Sequence, residues 1–198
     1  MHLAYCRGVT NPTPSRAQNY IGYQMRASAE SWPDHVFQLL KDHGISTVAT
    51  VPDAGLTKLL DLCRADAGVR VVTLSSEEEG IGLGLGTWLG HGRLLLCMQS
   101  SGTGNCINTL ALPAATGTPC LMLVTMRGEA DETNPWQVPM GRAVRPVLEA
   151  MNVACFEAKT ADQVGVLFEQ AATLAFGEGR AAAVLIEQSV LGVKRFSE

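Results

Sequence analysis

Three consecutive acids, Glu77, Glu78 and Glu79, stand just after the apolar run Val71 to Leu74 and open a glycine-rich stretch. The carboxyl end of a strand is where open α/β sheets place their chemistry. Carboxylates there can exchange protons when burial and a neighbouring ligand bring their proton affinity into range, or they can simply complement the positive end of a helix. The acids alone leave both readings open. The glycines that follow, Gly80, Gly82, Gly84 and Gly86, each cost a helix roughly 1 kcal/mol against alanine. A helix face without side chains implies close approach by another backbone, a subunit or a flat cofactor.

Neither this cluster nor the later Gly102-Thr103-Gly104 completes GxGxxG, and no lysine follows as in GxxxxGK[ST]. Three acids ahead of the first cluster would also repel a pyrophosphate. The pattern therefore argues against NAD binding and against ATP hydrolysis.

The elements that must carry these residues alternate. A helix capped at Ser31, with Pro33 in its first turn and Val36, Phe37, Leu39 and Leu40 on one face, is stopped by Gly44. Strands are expected at Ser46 to Val51, Arg70 to Leu74, Leu94 to Met98, Cys120 to Met126, Val153 to Ala158 and Ala181 to Glu187. Between them fall helices from Leu56 to Cys63, from Ser76 to about His91, from about Asn105 to Thr116, around Val144 to Met151, and from about Ala161 to Phe176. Arg127 to Pro139 reads as a long polar loop, a kind of segment that is usually functional. Strands apolar on both faces, alternating with helices, specify an α/β three-layer sandwich: a mostly parallel sheet of about six strands with helices on both faces.

At 198 residues the chain fits one domain. Its charged fraction of 17% lies below the roughly one quarter usual for soluble domains, so a partner is expected to cover some surface. A net charge of −4 offers no basic footprint for nucleic acid, and no apolar run is long enough to span a membrane. The six cysteines are scattered, without a CxxC pair or a histidine at ligand spacing, as in a reduced cytoplasmic protein without zinc. Residues 1–29 hold three arginines, no acid, and Pro12 and Pro14. They are expected to be a disordered or loosely packed extension, with a transit peptide as the alternative, and residues 30–198 to be the domain.

Three pieces, each after a strand, carry a resemblance: VPDAGL (Val51 to Leu56), EEEGIGLGLGTWLG (Glu77 to Gly90) and MQSSGTGNCIN (Met98 to Asn108). In this order they resemble the pyrimidine-binding domain of thiamine-diphosphate-dependent 2-oxoacid decarboxylases over roughly residues 31 to 192. Within that family the pattern is most similar to the sulfopyruvate and phosphonopyruvate decarboxylases. The resemblance implies that a glutamate after the second strand hydrogen-bonds N1′ of the cofactor's aminopyrimidine. The imino form so favoured takes the proton from the thiazolium C2, and the cofactor is the electron sink while CO₂ leaves. Counting back nine positions from Gly86 selects Glu77, with Glu78 as the alternative one step away.

VPDAGL matches the family's first active-site loop, with Ala54 where a serine is usual. By this match Pro52 and Asp53 face substrate, and Asp53 is a candidate proton relay; as a plain residue it is a helix cap. Gln99, Ser100 and Ser101 become substrate contacts, and Gly102, Thr103 and Asn105 cofactor contacts, at a helix start whose free N–H groups suit an anion. Simple turn chemistry accounts for the same stretch. Arg127 reads either as the contact for a second anionic group or as a surface arginine.

Family members also hold magnesium and the diphosphate through a Gly-Asp-Gly run, which this chain lacks. The resemblance thus implies an alpha subunit that shares thiamine diphosphate with a beta subunit, which holds Mg²⁺, and that self-associates or forms a hetero-oligomer. The expected substrate is a small anionic 3-sulfo- or 3-phosphono-2-oxo acid, sulfopyruvate ahead of phosphonopyruvate. Acetolactate-synthase-like carboligation and a non-catalytic regulatory subunit are the alternatives.

Overall fold

The apolar runs pair into one sheet. In the computed structural model, which describes residues 31–130 and 132–192, the strands are β1 (Thr47–Thr50), β2 (Arg70–Thr73), β3 (Leu94–Gln99), β4 (Cys120–Thr125), β5 (Ala154–Ala158) and β6 (Ala181–Ile186). All pairings are parallel, in the order β2-β1-β3-β4-β6-β5. The expected α/β sandwich is therefore realised. The extension expected over residues 1–29 lies outside the described residues.

The period of two along each strand divides the core. Leu95 and Cys97 of β3, Leu121 and Leu123 of β4 and Val184 of β6 face the layer of α1 (Trp32–Asp42), α2 (Thr57–Ala65) and α7 (Ala161–Glu178), where Phe168 is fully buried. Leu94, Leu96 and Met98, with Met122 and Val124, face the opposite layer. That layer holds α3 (Glu77–Leu89), α4 (Thr103–Cys106), α5 (Ala111–Thr116) and α6 (Gln137–Ala150). A one-turn helix, α8 (Gln188–Leu191), follows β6.

The strand order sets the place for chemistry. From β1 the chain moves outward to β2, whereas from β3 it moves the other way to β4, so the crevice between the carboxyl ends of β1 and β3 is a topological switch point. Registers Thr50↔Cys97 and Gln99↔Thr125 bring the loops after β1, β3 and β4 to one edge.

Two helices differ from expectation. The helix expected from Asn105 to Thr116 is broken by a turn over residues 107–110 and restarts at Ala111. A continuous helix would have put Pro113 in its interior, where the ring meets the carbonyl four residues back; restarting places Pro113 in a first turn, where it is tolerated. The helix expected around Val144 begins already at Gln137, despite Pro139, Gly141 and Pro146. Gly141 is required there, because a side chain at that position would run into the Arg127 carbonyl.

The glycines of α3 divide by face. A methyl group at Gly80 would collide with Leu96, which is 1% exposed, while at Gly82 or Gly86 it would meet nothing within 4 Å. Gly80→Ala is accordingly expected to destabilise the chain by about 1–3 kcal/mol through overpacking. Gly82→Ala and Gly86→Ala are expected to stabilise the isolated chain by up to about 1 kcal/mol each through helix propensity. Urea melts of the three variants check this; equal effects at all three positions would contradict it.

Candidate active site

Of the three acids at the carboxyl end of β2, only the first is sequestered. Glu77 is 7% exposed, whereas Glu78 and Glu79 are exposed. Helical geometry explains the difference: Glu77 opens α3 on the face that also buries Gly80 and Ile81 against the sheet. Glu79 has an ordinary helix-start task, its Oε2 accepting from the Ser75 N–H at 3.0 Å. Ser76 occupies the N-cap position without a side-chain capping bond.

The Glu77 carboxylate meets the turn after β3. Asn105 Nδ2 donates to its Oε2 at 2.8 Å, and its Oε1, Cδ and Cγ lie so close to Gly102 that a side chain at 102 would collide with them. Gly102 is thus bare because a carboxylate occupies the space. Cys106 lies near enough that burial first, and the Glu77 charge second, push its thiol up to about 12.

A second group centres on Asp53, at the end of β1. Its Oδ2 accepts from the Gly55 N–H at 3.0 Å, so the helix-cap reading is realised. The same oxygen accepts from the Thr125 hydroxyl at 2.9 Å, and Oδ1 accepts from Gln99 Nε2 at 2.9 Å. Ser101, exposed, donates to Gln99 Oε1 at 3.0 Å. Side chains from the ends of β1, β3 and β4 are thereby joined in one chain of hydrogen bonds. Asp53 and Thr125 also line a cavity of about 240 Å³ together with Gly55, Arg127, Gln188 and Leu191. Pro52, beside them, is exposed.

Three residues expected to touch ligand are turned inward. Thr103, fully buried, donates to the Ser100 carbonyl at 2.7 Å, and Ser100, also fully buried, accepts from the Arg127 N–H at 3.1 Å. Both shape the turn from within. The Arg127 guanidinium, expected to read a second anionic group or to sit at the surface, does neither. Its Nε and Nη2 each donate at 2.6 Å to the buried Glu132 carboxylate, so its charge is already matched. The helix start at Thr103 is a single turn, and the Thr103 N–H is spent on Ser100 and Ser101 carbonyls. The expected anion site there is correspondingly reduced.

Reading the sequence missed Thr125, Glu132 and Gln188. Thr125 carried a faint signal, a hydroxyl closing an otherwise apolar core strand one position before Met126-Arg127.

Residues 32–141 match the family model described as the N-terminal TPP-binding domain of thiamine pyrophosphate enzymes. The chain belongs to this family. The sulfopyruvate decarboxylase alpha subunit of Methanococcus maripaludis is 32% identical over 153 residues, covering 77% of this chain and 92% of that protein. That of Methanocaldococcus jannaschii is 30% identical over 153 residues, covering 77% and 90%. Phosphonopyruvate decarboxylase of Streptomyces viridochromogenes is 34% identical over 108 residues, 54% of this chain and 27% of that protein. Among solved structures, a 2-oxoglutarate:ferredoxin oxidoreductase from Magnetococcus marinus shares the fold at a TM-score of 0.66 and 15% identity, over 82% of this chain and 29% of that one. The stretch matched by the family model includes all three acids and the turn that grips Glu77.

Proposed function

We propose that this chain is the alpha subunit of a two-chain thiamine-diphosphate-dependent 2-oxo acid decarboxylase, acting in the cytoplasm on a 3-sulfo-2-oxo acid or its 3-phosphono analogue. The observation that carries this reading is the burial of Glu77, alone of its triplet, at the mouth of α3 and beside a bare glycine. A heterocycle suits that place, since Glu77, held by Asn105 and packed against Gly102, offers a carboxylate to a ring nitrogen.

Bound thiamine diphosphate supplies the carbon acid and the electron sink that release of CO₂ requires. Glu77 would hold the proton shared with N1′ of the aminopyrimidine, and the helix N-terminus beneath it favours the carboxylate left once that proton has been given up. Gln99, held by Asp53, and Ser101, held by Gln99, present polar groups to the 2-oxo acid. The names of the relatives support decarboxylation and the alpha-subunit assignment.

Magnesium and the diphosphate fall to a beta subunit, a reading supported by the two alpha subunits that the chain matches over 92% and 90% of their length. That partner covers the outward face of α3, where Gly82 and Gly86 are exposed and Leu89 is 71% exposed. Such a patch is a place for another chain to dock. In the test, the purified chain is assayed with sulfopyruvate, phosphonopyruvate and pyruvate, with and without a beta subunit, thiamine diphosphate and Mg²⁺. Decarboxylation is expected only in the complete mixture. Turnover by the chain rigorously freed of partner would overturn the two-chain reading.

A further inference from the structure

We infer that Asn105 is a positioning residue for Glu77, keeping that carboxyl hydrogen-bonded and aimed whether or not it carries a proton, and that it acts through Glu77 rather than on the cofactor. This rests on the proposed role of Glu77. Asn105 and Glu77 lie 28 residues apart and follow different strands, β3 and β2, with β1 between them in the sheet. The contact is therefore a product of the fold and not of helix chemistry.

Its geometry is a grip on both oxygens. Asn105 Nδ2 holds Oε2 at 2.8 Å, and Oε1, Cδ and Cγ fill the space that a side chain at Gly102 would need. Glu77 as a whole is 7% exposed, so the hydrogen bond is sheltered from water. What the grip leaves is the part that can meet a ligand.

The side-chain type matters as much as the place. An ionised carboxylate only accepts hydrogen bonds, whereas a protonated carboxyl also donates one. An amide has an NH₂ and a carbonyl at nearly equal reach, so a half-turn of the Asn105 amide satisfies Glu77 in either state. Leucine matches the size without a polar group, and aspartate would set a second acid against the first. A group that gains and loses a proton in every cycle needs such a two-way partner if it is not to swing away in one state. Asn105 itself is exposed, on a one-turn helix, so its replacement leaves the core intact.

The test is a double-mutant cycle in the complex of the full chain with its beta subunit, using Glu77→Gln, Asn105→Leu and the pair. Three quantities are read: C2-proton exchange of bound thiamine diphosphate, calorimetric affinity for thiamine diphosphate, and the circular-dichroism band of the imino tautomer. Asn105→Leu is expected to slow exchange by about tenfold, the effect of one charge-assisted hydrogen bond, and to weaken the imino band, with cofactor affinity changed less than about threefold. On the Glu77→Gln background it should change exchange no further. Additive losses, or a tenfold loss of cofactor affinity with exchange unchanged, would overturn the inference, because Asn105 would then act on the cofactor directly. Exchange at the parent rate in Glu77→Gln would overturn the proposed function and this inference together. Asn105→Ala, run in parallel with a melting curve of the free chain, separates any packing effect of leucine and is expected to reproduce the same pattern.

Discussion

Glu132→Ala is expected to destabilise the chain by about 3–5 kcal/mol, the cost of leaving a buried charge without its partner. The Glu132 side chain is 1% exposed and that of Arg127 7%. Besides the two bonds from Arg127, the carboxylate accepts from the Gly128 N–H at 3.1 Å, the Asn134 N–H at 2.9 Å and Gln188 Nε2 at 3.0 Å. One side chain thus organises the segment after β4 and ties it to the start of α8. Removing it strands a guanidinium and frees three further donors. The effect should reach the candidate active site, because the Arg127 N–H also holds Ser100, next to the turn that grips Glu77.

The same group gives a pH signature. The Arg127 hydrogen bonds hold the Glu132 carboxyl down at about 2, against 4.5 for a free glutamate. A carboxyl with a lowered folded-state value contributes stability that is fully present above the unfolded value and is lost as pH falls through the folded one. Stability of the parent should therefore decline between about pH 4.5 and pH 2, and Glu132→Ala should lose that part of the slope. Urea titrations across this range measure both effects. A variant within about 1 kcal/mol of the parent, with the same acid limb, would show that the pair is structurally idle.

This ion pair marks the limit of what the sequence disclosed. Strands were legible because Leu94 to Met98 and Cys120 to Val124 are apolar on both faces, as the strands of a covered parallel sheet must be. The acid run was legible because three consecutive acids directly after the apolar run Val71 to Leu74 are out of place. By contrast, Arg127 and Glu132 sit in a segment without periodicity, and nothing in their spacing says that each is the other's partner. Thr125 binds Asp53 across 72 residues, and Gln188 reaches Glu132 across 56, so only the folded sheet brings them together. The start of α6 was hidden for a related reason: Pro139 and Gly141 look like helix breakers, and the need for glycine at 141 comes from a carbonyl in another segment. Between Glu77 and Glu78 the sequence offered only a count of positions, whereas burial separates them.

Glu77→Gln is expected to lower C2-proton exchange and decarboxylation in the reconstituted complex by roughly 10²- to 10⁴-fold, the usual scale of a lost general acid–base group. Glutamine keeps the length and can still hydrogen-bond Asn105 and a ring nitrogen, but it cannot take up and return a proton. Cofactor should therefore still bind. Glu78→Gln and Glu79→Gln provide the contrast on the same helix turn. Glu78 is exposed, and Glu79 spends its carboxylate on the Ser75 N–H, so each replacement should cost only about 0.3–1 kcal/mol of stability and leave exchange near the parent rate. Exchange measured by proton NMR on all three variants, with cofactor affinity alongside, separates proton chemistry from helix-end electrostatics. If Glu78→Gln alone lost exchange, the proton would pass through an exposed carboxylate, and the buried position of Glu77 would have to be explained by packing. If all three exchanged at the parent rate, the acid run would be helix chemistry and the carboxyl end of β2 would have no part in the reaction.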